Sequence, residues 1–314
     1  MTACIAPDTT GPLRRSSRLR FCALTFAFVT ASLLASANCV AQQTYRSAED
    51  AAQAFVDALR RSDRGALEAV LGPNGKGLIP AGGIGQDDID AFLAAWQTQH
   101  KIETQTDGTA LISVGQAGWT LPIPLIASSG GWRFDPQRGA EQLRTRRIGR
   151  NELGAIQASL AYFDAQREYA LKDRDGNGVL EYAQKLVSAP GRHDGLYWPD
   201  AQDQEASPLG PLFASRKPRG GAGYQGYFYK VLKAQGEHAP GGAYHYIVGG
   251  RMRSGFALIA WPSRYGHTGV MSFMVNHDGR VYEKDLGPRT DEAVQAITRF
   301  DPDASWKKVA VPEH

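Results

Sequence analysis

Arg150-Asn151-Glu152-Leu153-Gly154-Ala155-Ile156-Gln157-Ala158-Ser159-Leu160-Ala161-Tyr162-Phe163-Asp164-Ala165-Gln166-Arg167-Glu168-Tyr169-Ala170 decides the fold. Leu153, Ile156, Leu160, Phe163 and Arg167 recur at helical spacing and no proline interrupts, which predicts one long helix from about Glu141 to Lys172. Everything else arranges itself around that helix. The segment before it reads as helices followed by short strands, and the segment after it as strands joined by glycine-rich loops. The expected class is α+β, with an N-terminal domain over 45–140 and a C-terminal domain over 141–312 in which the long helix packs on an antiparallel sheet.

Upstream, Ser47 caps a helix whose Ala51, Ala52, Phe55, Val56 and Leu59 share one face. A second helix, Arg64–Leu71, stops at Gly72-Pro73, and Asp87–Trp96 reads as a third. Strand-like runs follow at Lys101–Gln105, Ala110–Val114, Trp119–Ala127 and Gly131–Phe134. Pro122 and Pro124 confine the Trp119–Ala127 run to an edge or a bulge. Downstream, strands are expected at Tyr224–Leu232, Tyr244–Val248, Phe256–Trp261, Val270–Asn276 and Arg280–Lys284, with a closing helix at Asp291–Phe300.

The chain has 314 residues, 35 Lys plus Arg against 32 Asp plus Glu, and three cysteines. Cys4, Cys22 and Cys39 all lie in the first 40 residues. There, Arg14, Arg15, Arg18 and Arg20 precede an apolar run from Phe21 to Ala35 and then Cys39-Val40-Ala41, the pattern of a secretory signal peptide over 1–41. That run is shorter than the roughly 20 apolar residues of a membrane span. Cleavage after Ala41 leaves a chain of zero formal charge with no cysteine and no transmembrane span, expected to be periplasmic or secreted. The mild basicity belongs to the leader, so a nucleic-acid partner, which needs a basic face, is excluded.

Asp173-Arg174-Asp175-Gly176-Asn177-Gly178-Val179-Leu180-Glu181 follows the first half of a calcium loop. Asp173, Asp175 and Asn177 would supply side-chain oxygens, Val179 its carbonyl, and Glu181 a carboxylate, while Leu180 would pack inward. Position twelve is Gln184 where a bidentate Glu is usual, so calcium, the candidate cofactor, would bind weakly. A short helix at Tyr182–Val187 would complete the frame. The same residue types also favour an ion-free turn.

Among the histidines, His193 beside Asp194 is the weak catalytic candidate, with Ser207 or Ser272 as nucleophile. Glu152, Asp164 and Glu168 could serve carboxylate chemistry but sit where neighbouring turns supply Arg and Lys. Tyr197, Trp198, Tyr224, Tyr227 and Tyr244 form the candidate binding surface, since aromatics on exposed strands stack on glycans or anchor a partner protein.

Several strings in one order carry a family resemblance: Arg146-Arg147-Ile148-Gly149-Arg150-Asn151-Glu152-Leu153, Gly195-Leu196-Tyr197-Trp198-Pro199, Ser207-Pro208-Leu209-Gly210-Pro211 and Ala239-Pro240-Gly241-Gly242-Ala243. Tyr265-Gly266, Thr268-Gly269-Val270-Met271 and Asp285-Leu286-Gly287 extend it. The chain resembles the bacterial domain-of-unknown-function 2950 family over nearly all of its mature length. The resemblance implies an exported envelope protein with no assigned activity. The helix-then-sheet order of 45–140 is similar to nuclear-transport-factor-2-like domains, and 141–312 to the globular parts of pilin-like proteins. The expected function is therefore a non-catalytic binding or scaffolding module of the envelope, with an envelope protein or glycan as partner. The alternatives are a periplasmic hydrolase acting on glycan or peptide and a minor pseudopilin-like secretion or pilus component.

Overall fold

The computed structural model describes residues 42–80, 82–174, 176–199, 206–211 and 223–310; the expected signal peptide and Asp175 lie outside them. Helix α1 (Ala48–Arg60) starts where Ser47 Oγ accepts the Asp50 N–H at 3.0 Å. It buries Ala51, Ala52, Phe55, Val56 and Leu59, the face that the spacing requires. Helix α2 (Arg64–Leu71) is capped by Asp63 and ends at Gly72, whose φ of +76° suits glycine. After a 3-10 turn comes α3 (Gln86–Thr98), then β1 (His100–Thr104), β2 (Thr109–Val114), β3 (Trp119–Thr120), β4 (Leu125–Ser128) and β5 (Gly131–Phe134). All pairings are antiparallel, in the order β1-β2-β4-β5 with β3 also on β2. The single strand expected over Trp119–Ala127 is broken in two. Pro122 and Pro124 have no N–H to donate, so the ladder stops between them.

Helix α4 (Pro136–Tyr169) has 34 residues and is about 51 Å long at about 1.5 Å per residue. It begins five residues before the expected start: the Asp135 carboxylate accepts the Gln137 and Arg138 N–H groups, and Pro136 occupies the first turn, where no N–H is needed. The expected apolar face is also displaced. Leu153 is 66% exposed, while Ile156, Leu160 and Phe163 only flank the contact. The buried line is Ala155, Ala158, Ser159, Tyr162, Ala165, Gln166 and Tyr169. Small residues let the helix lie close to a sheet, and the polar members are satisfied: Tyr162 donates to the Ala257 carbonyl, and Gln166 exchanges bonds with both backbone groups of Ala183.

That sheet is built from β6 (Tyr227–Leu232) and, after short pairs β7 (Ala234–Gln235) with β8 (Tyr244–His245) and β9 (Ile247–Val248) with β10 (Arg251–Met252), from β11 (Ala257–Pro262), β12 (Met271–Asn276), β13 (Val281–Asp285) and β14 (Lys307–Lys308). Its order is β14-β13-β12-β11-β6, antiparallel throughout. The strand expected at Tyr224–Leu232 starts three residues later, and that expected at Tyr244–Val248 divides between β8 and β9, which pair with different partners. β11 is buried along its whole length. Helix α4 covers one face, and short α5 (Thr290–Ala296) the other, where Trp261 Nε1 donates to Asp291 and Lys230 Nζ to the Val294 carbonyl. The helix expected at Tyr182–Val187 is not formed. Tyr182 bridges to Met252 and Val187 to Tyr197, so the backbone there is extended and satisfied by neighbours.

The fold is α+β with antiparallel sheets and, among the described residues, no closed barrel. Buried apolar side chains fall into one cluster from Ala48 to Phe134 and a second from Ala155 to Trp306, with α4 running from the end of the first into the second. Among the described residues, no helix is long and apolar enough to cross a membrane.

Candidate functional site

The string Arg146–Leu153 on α4 fastens other segments. Arg146 Nη1 donates to the Thr120 carbonyl and Nη2 to Thr120 Oγ1, both at 2.7 Å. Asn151 Nδ2 donates to the Thr268 carbonyl at 2.8 Å, and Glu152 Oε1 accepts the Val270 and Met271 N–H groups at 2.9 and 3.0 Å. Among the described residues no cation pairs with Glu152 within 4.0 Å; it anchors the turn that leads into β12. Gly269, in that turn, has no room for a side chain: a Cβ there would lie 2.1 Å from Tyr227 Oη, which donates to the Met271 carbonyl.

His193 and Asp194 are adjacent in sequence but do not work on each other. Asp194 accepts Lys185 Nζ at 2.6 Å and the Ala189 N–H at 2.9 Å. Burial acts to raise its pKa, but the Lys185 ammonium, the Ala189 amide and Arg192 outweigh it and hold the carboxyl below its usual value. The His193 ring instead stacks on Trp198, with centroids 4.2 Å apart. Arg174 lies 5.7 Å from the centroids of both Trp198 and Tyr169, and its side chain is only 2% exposed. Of the expected nucleophiles, Ser207 donates to the Leu209 carbonyl, and Ser272 Oγ is buried on β12. Among the described residues, the histidine that does meet a carboxylate is His238, with Nδ1 3.0 Å from Asp301 Oδ1. Asp301 accepts the His238 N–H as well, so the contact pins the loop after β7 to the chain's last segment.

The acidic loop closes on itself and on β9–β10. Asp173 accepts the Asn177 N–H at 3.0 Å and the Gly178 N–H at 2.7 Å. Asn177 donates to Glu181 and accepts from both the Val179 N–H and the Arg251 guanidinium. Gln184 Nε2 donates to the Gly250 carbonyl at 2.8 Å, in a two-residue turn where Gly249 and Gly250 have φ of +61° and +80°. Leu180, expected to pack inward, is exposed because no second helix follows to cover it. Among the described residues, no group of three or more His, Cys, Asp or Glu side chains is placed to hold a metal ion; Asp175 is not one of them. The loop does border a polar cavity of about 410 Å³, lined by Asn177, Glu181, Lys185, Arg192, Asp194 and Arg251. Asn177, Glu181, Gln184 and Asp194, proposed on separate grounds, thus meet at one cavity, and His193 does not line it.

The described structure coincides with a sequence match. The family model for a protein of unknown function, DUF2950, matches residues 42–309. The chain belongs to the DUF2950 family. No curated protein and no solved structure matches the chain.

The aromatic residues of this DUF2950 chain do not form one exposed strip. Trp198 and Tyr227 are core residues, while Tyr197, Tyr224 and Tyr244 are half-buried at separate places. Alternation along β6 turns Tyr227 and Tyr229 to the face opposite Lys230, the one that α4 covers, where burial drives both phenol pKa values up. Tyr244 packs edge-on to Tyr246, and its hydroxyl lies 3.2 Å from His277 Nε2. Sequence reasoning missed an apolar cavity of about 480 Å³ between α1, α3 and β2, lined by Phe55, Leu59, Ile89, Phe92, Trp119 and Leu121. The exposed Trp119 beside a proline-broken strand was the available signal.

Proposed function

We propose that this DUF2950 protein is an exported, periplasmic or secreted module that binds or scaffolds in the cell envelope and does not catalyse. The observation that carries this reading is how the family motif is used. Arg146, Asn151 and Glu152 bond to Thr120, Thr268, Val270 and Met271, so the motif holds segments together around α4. The polar cavity then supplies the recognition surface, with cations and carboxylates fixed by hydrogen bonds before any partner arrives. A two-domain organisation, nuclear-transport-factor-2-like before the long helix and pilin-like from it onward, is part of the proposal. Helices preceding an antiparallel sheet support the first assignment, and a long helix laid on β11 and β12 the second.

Calcium at the Asp173 loop also belongs to this reading. Asp173, Asn177 and Glu181 are already drawn into one hydrogen-bonded turn, and an ion there would take the place of Arg251 on Asn177. The deciding experiment incubates residues 42–314 with envelope glycan fragments and envelope protein extract, then measures retention and product masses. Retained, chemically unchanged ligand is expected, with retention weakened by Arg192→Glu in the polar cavity. Steady release of cleaved glycan or peptide would replace this reading with the hydrolase.

A further inference from the structure

We propose that the apolar cavity beside α3 binds a small amphiphile carrying a cationic group. This site is separate from the polar cavity and does not depend on the reading above. Its volume, about 480 Å³, lies within the roughly 300–1,000 Å³ typical of pockets for a single small ligand. Its walls are aromatic and aliphatic, so an apolar body gains by leaving water there. The cavity is open at one side, where Trp119 is 48% exposed and Ile84 37%. Trp119 packs edge-on against Phe92 at 6.2 Å and under the Arg146 guanidinium at 5.7 Å, so a large, exposed indole is held in place before any ligand arrives.

Charge selects the head group. Asp88 is the charged residue that lines the cavity, and Asp87 and Asp90 lie beside it on α3. Among the described residues, no cation pairs with any of these three within 4.0 Å. The positive end of α3 offsets only about half a charge. Arg146, the cation over Trp119, keeps its full charge, because the Thr120 carbonyl and hydroxyl that accept its Nη1 and Nη2 hydrogens are neutral, but the three carboxylates outnumber that cation and the helix end together. A cationic head at the rim is therefore favoured, and an anionic one is repelled.

The test titrates residues 42–314 at low ionic strength with dodecyltrimethylammonium, dodecyl maltoside and dodecyl sulfate, each below its micelle concentration, by calorimetry and tryptophan fluorescence. The cationic probe is expected to bind about three to five times tighter than the neutral one, the scale of a partly exposed charge contact. The anionic probe should bind weakest. Asp88→Asn should reduce the cationic preference while neutral binding persists, and Trp119→Ala, an exposed position that leaves the core intact, should weaken all three. Equal affinities, tighter binding of the anion, or binding indifferent to Trp119→Ala would overturn the proposal.

Discussion

Glu152 shows how one side chain can hold distant segments of a fold together. One of its carboxylate oxygens accepts two backbone N–H groups at the entry to β12. Truncation to Ala would strand both donors, which costs about 2–3 kcal/mol in urea unfolding, while Gln, keeping one acceptor, should cost roughly half that. An undiminished midpoint for Glu152→Ala would show that the turn does not need its anchor. Asp194 makes a prediction in pH. Its folded pKa is depressed, so its contribution to stability is present above the unfolded value of 3.8 and is lost as pH falls below it. Asp194→Asn should therefore be less stable than wild type at pH 7, and the difference should shrink as the pH is lowered through that range. A constant difference down to pH 2 would assign the effect to packing instead. Neither role was legible in the sequence, because Glu152 is spaced like a helical ion-pair partner and Asp194 sits next to a histidine. Glu152 meets Val270 and Met271, more than 100 residues away, and Asp194 meets Lys185 and Ala189 only because the irregular chain between them folds back on itself.

At the scale of elements, local chemistry was readable wherever a residue type permits one conformation. The Ser47 cap and the stop at Gly72-Pro73 are such cases, and both stand where spacing places them. The buried face of α4 was misread because large apolar residues flank the sheet contact, and alanine, tyrosine and glutamine make it. The helix expected after the acidic loop failed for a related reason: pairing of Tyr182 with Met252 and of Val187 with Tyr197 outweighs local preference. That loop yields the element's own test. An extracellular-type site with an affinity near 1 mM would add about 1 kcal/mol at 5 mM calcium, or about 2–4 °C in melting temperature. Arg251→Ala, which frees the Asn177 oxygen, should enlarge the shift relative to its own baseline. No shift in either protein would remove calcium from the loop.

For the molecule as a whole, α4 is the decisive element. Its N-terminal part is buried at Pro136 and Gly139 beside the first core, and Arg146 reaches back to Thr120. Its C-terminal part is the covered side of the second sheet. Because α4 takes part in both cores, the two are expected to unfold together. Differential scanning calorimetry of residues 42–314, with Arg146→Ala alongside, measures this most directly. One transition is expected, with calorimetric and van't Hoff enthalpies equal, and Arg146→Ala should broaden or split it. Two separate transitions in the unaltered protein would contradict the coupled scaffold.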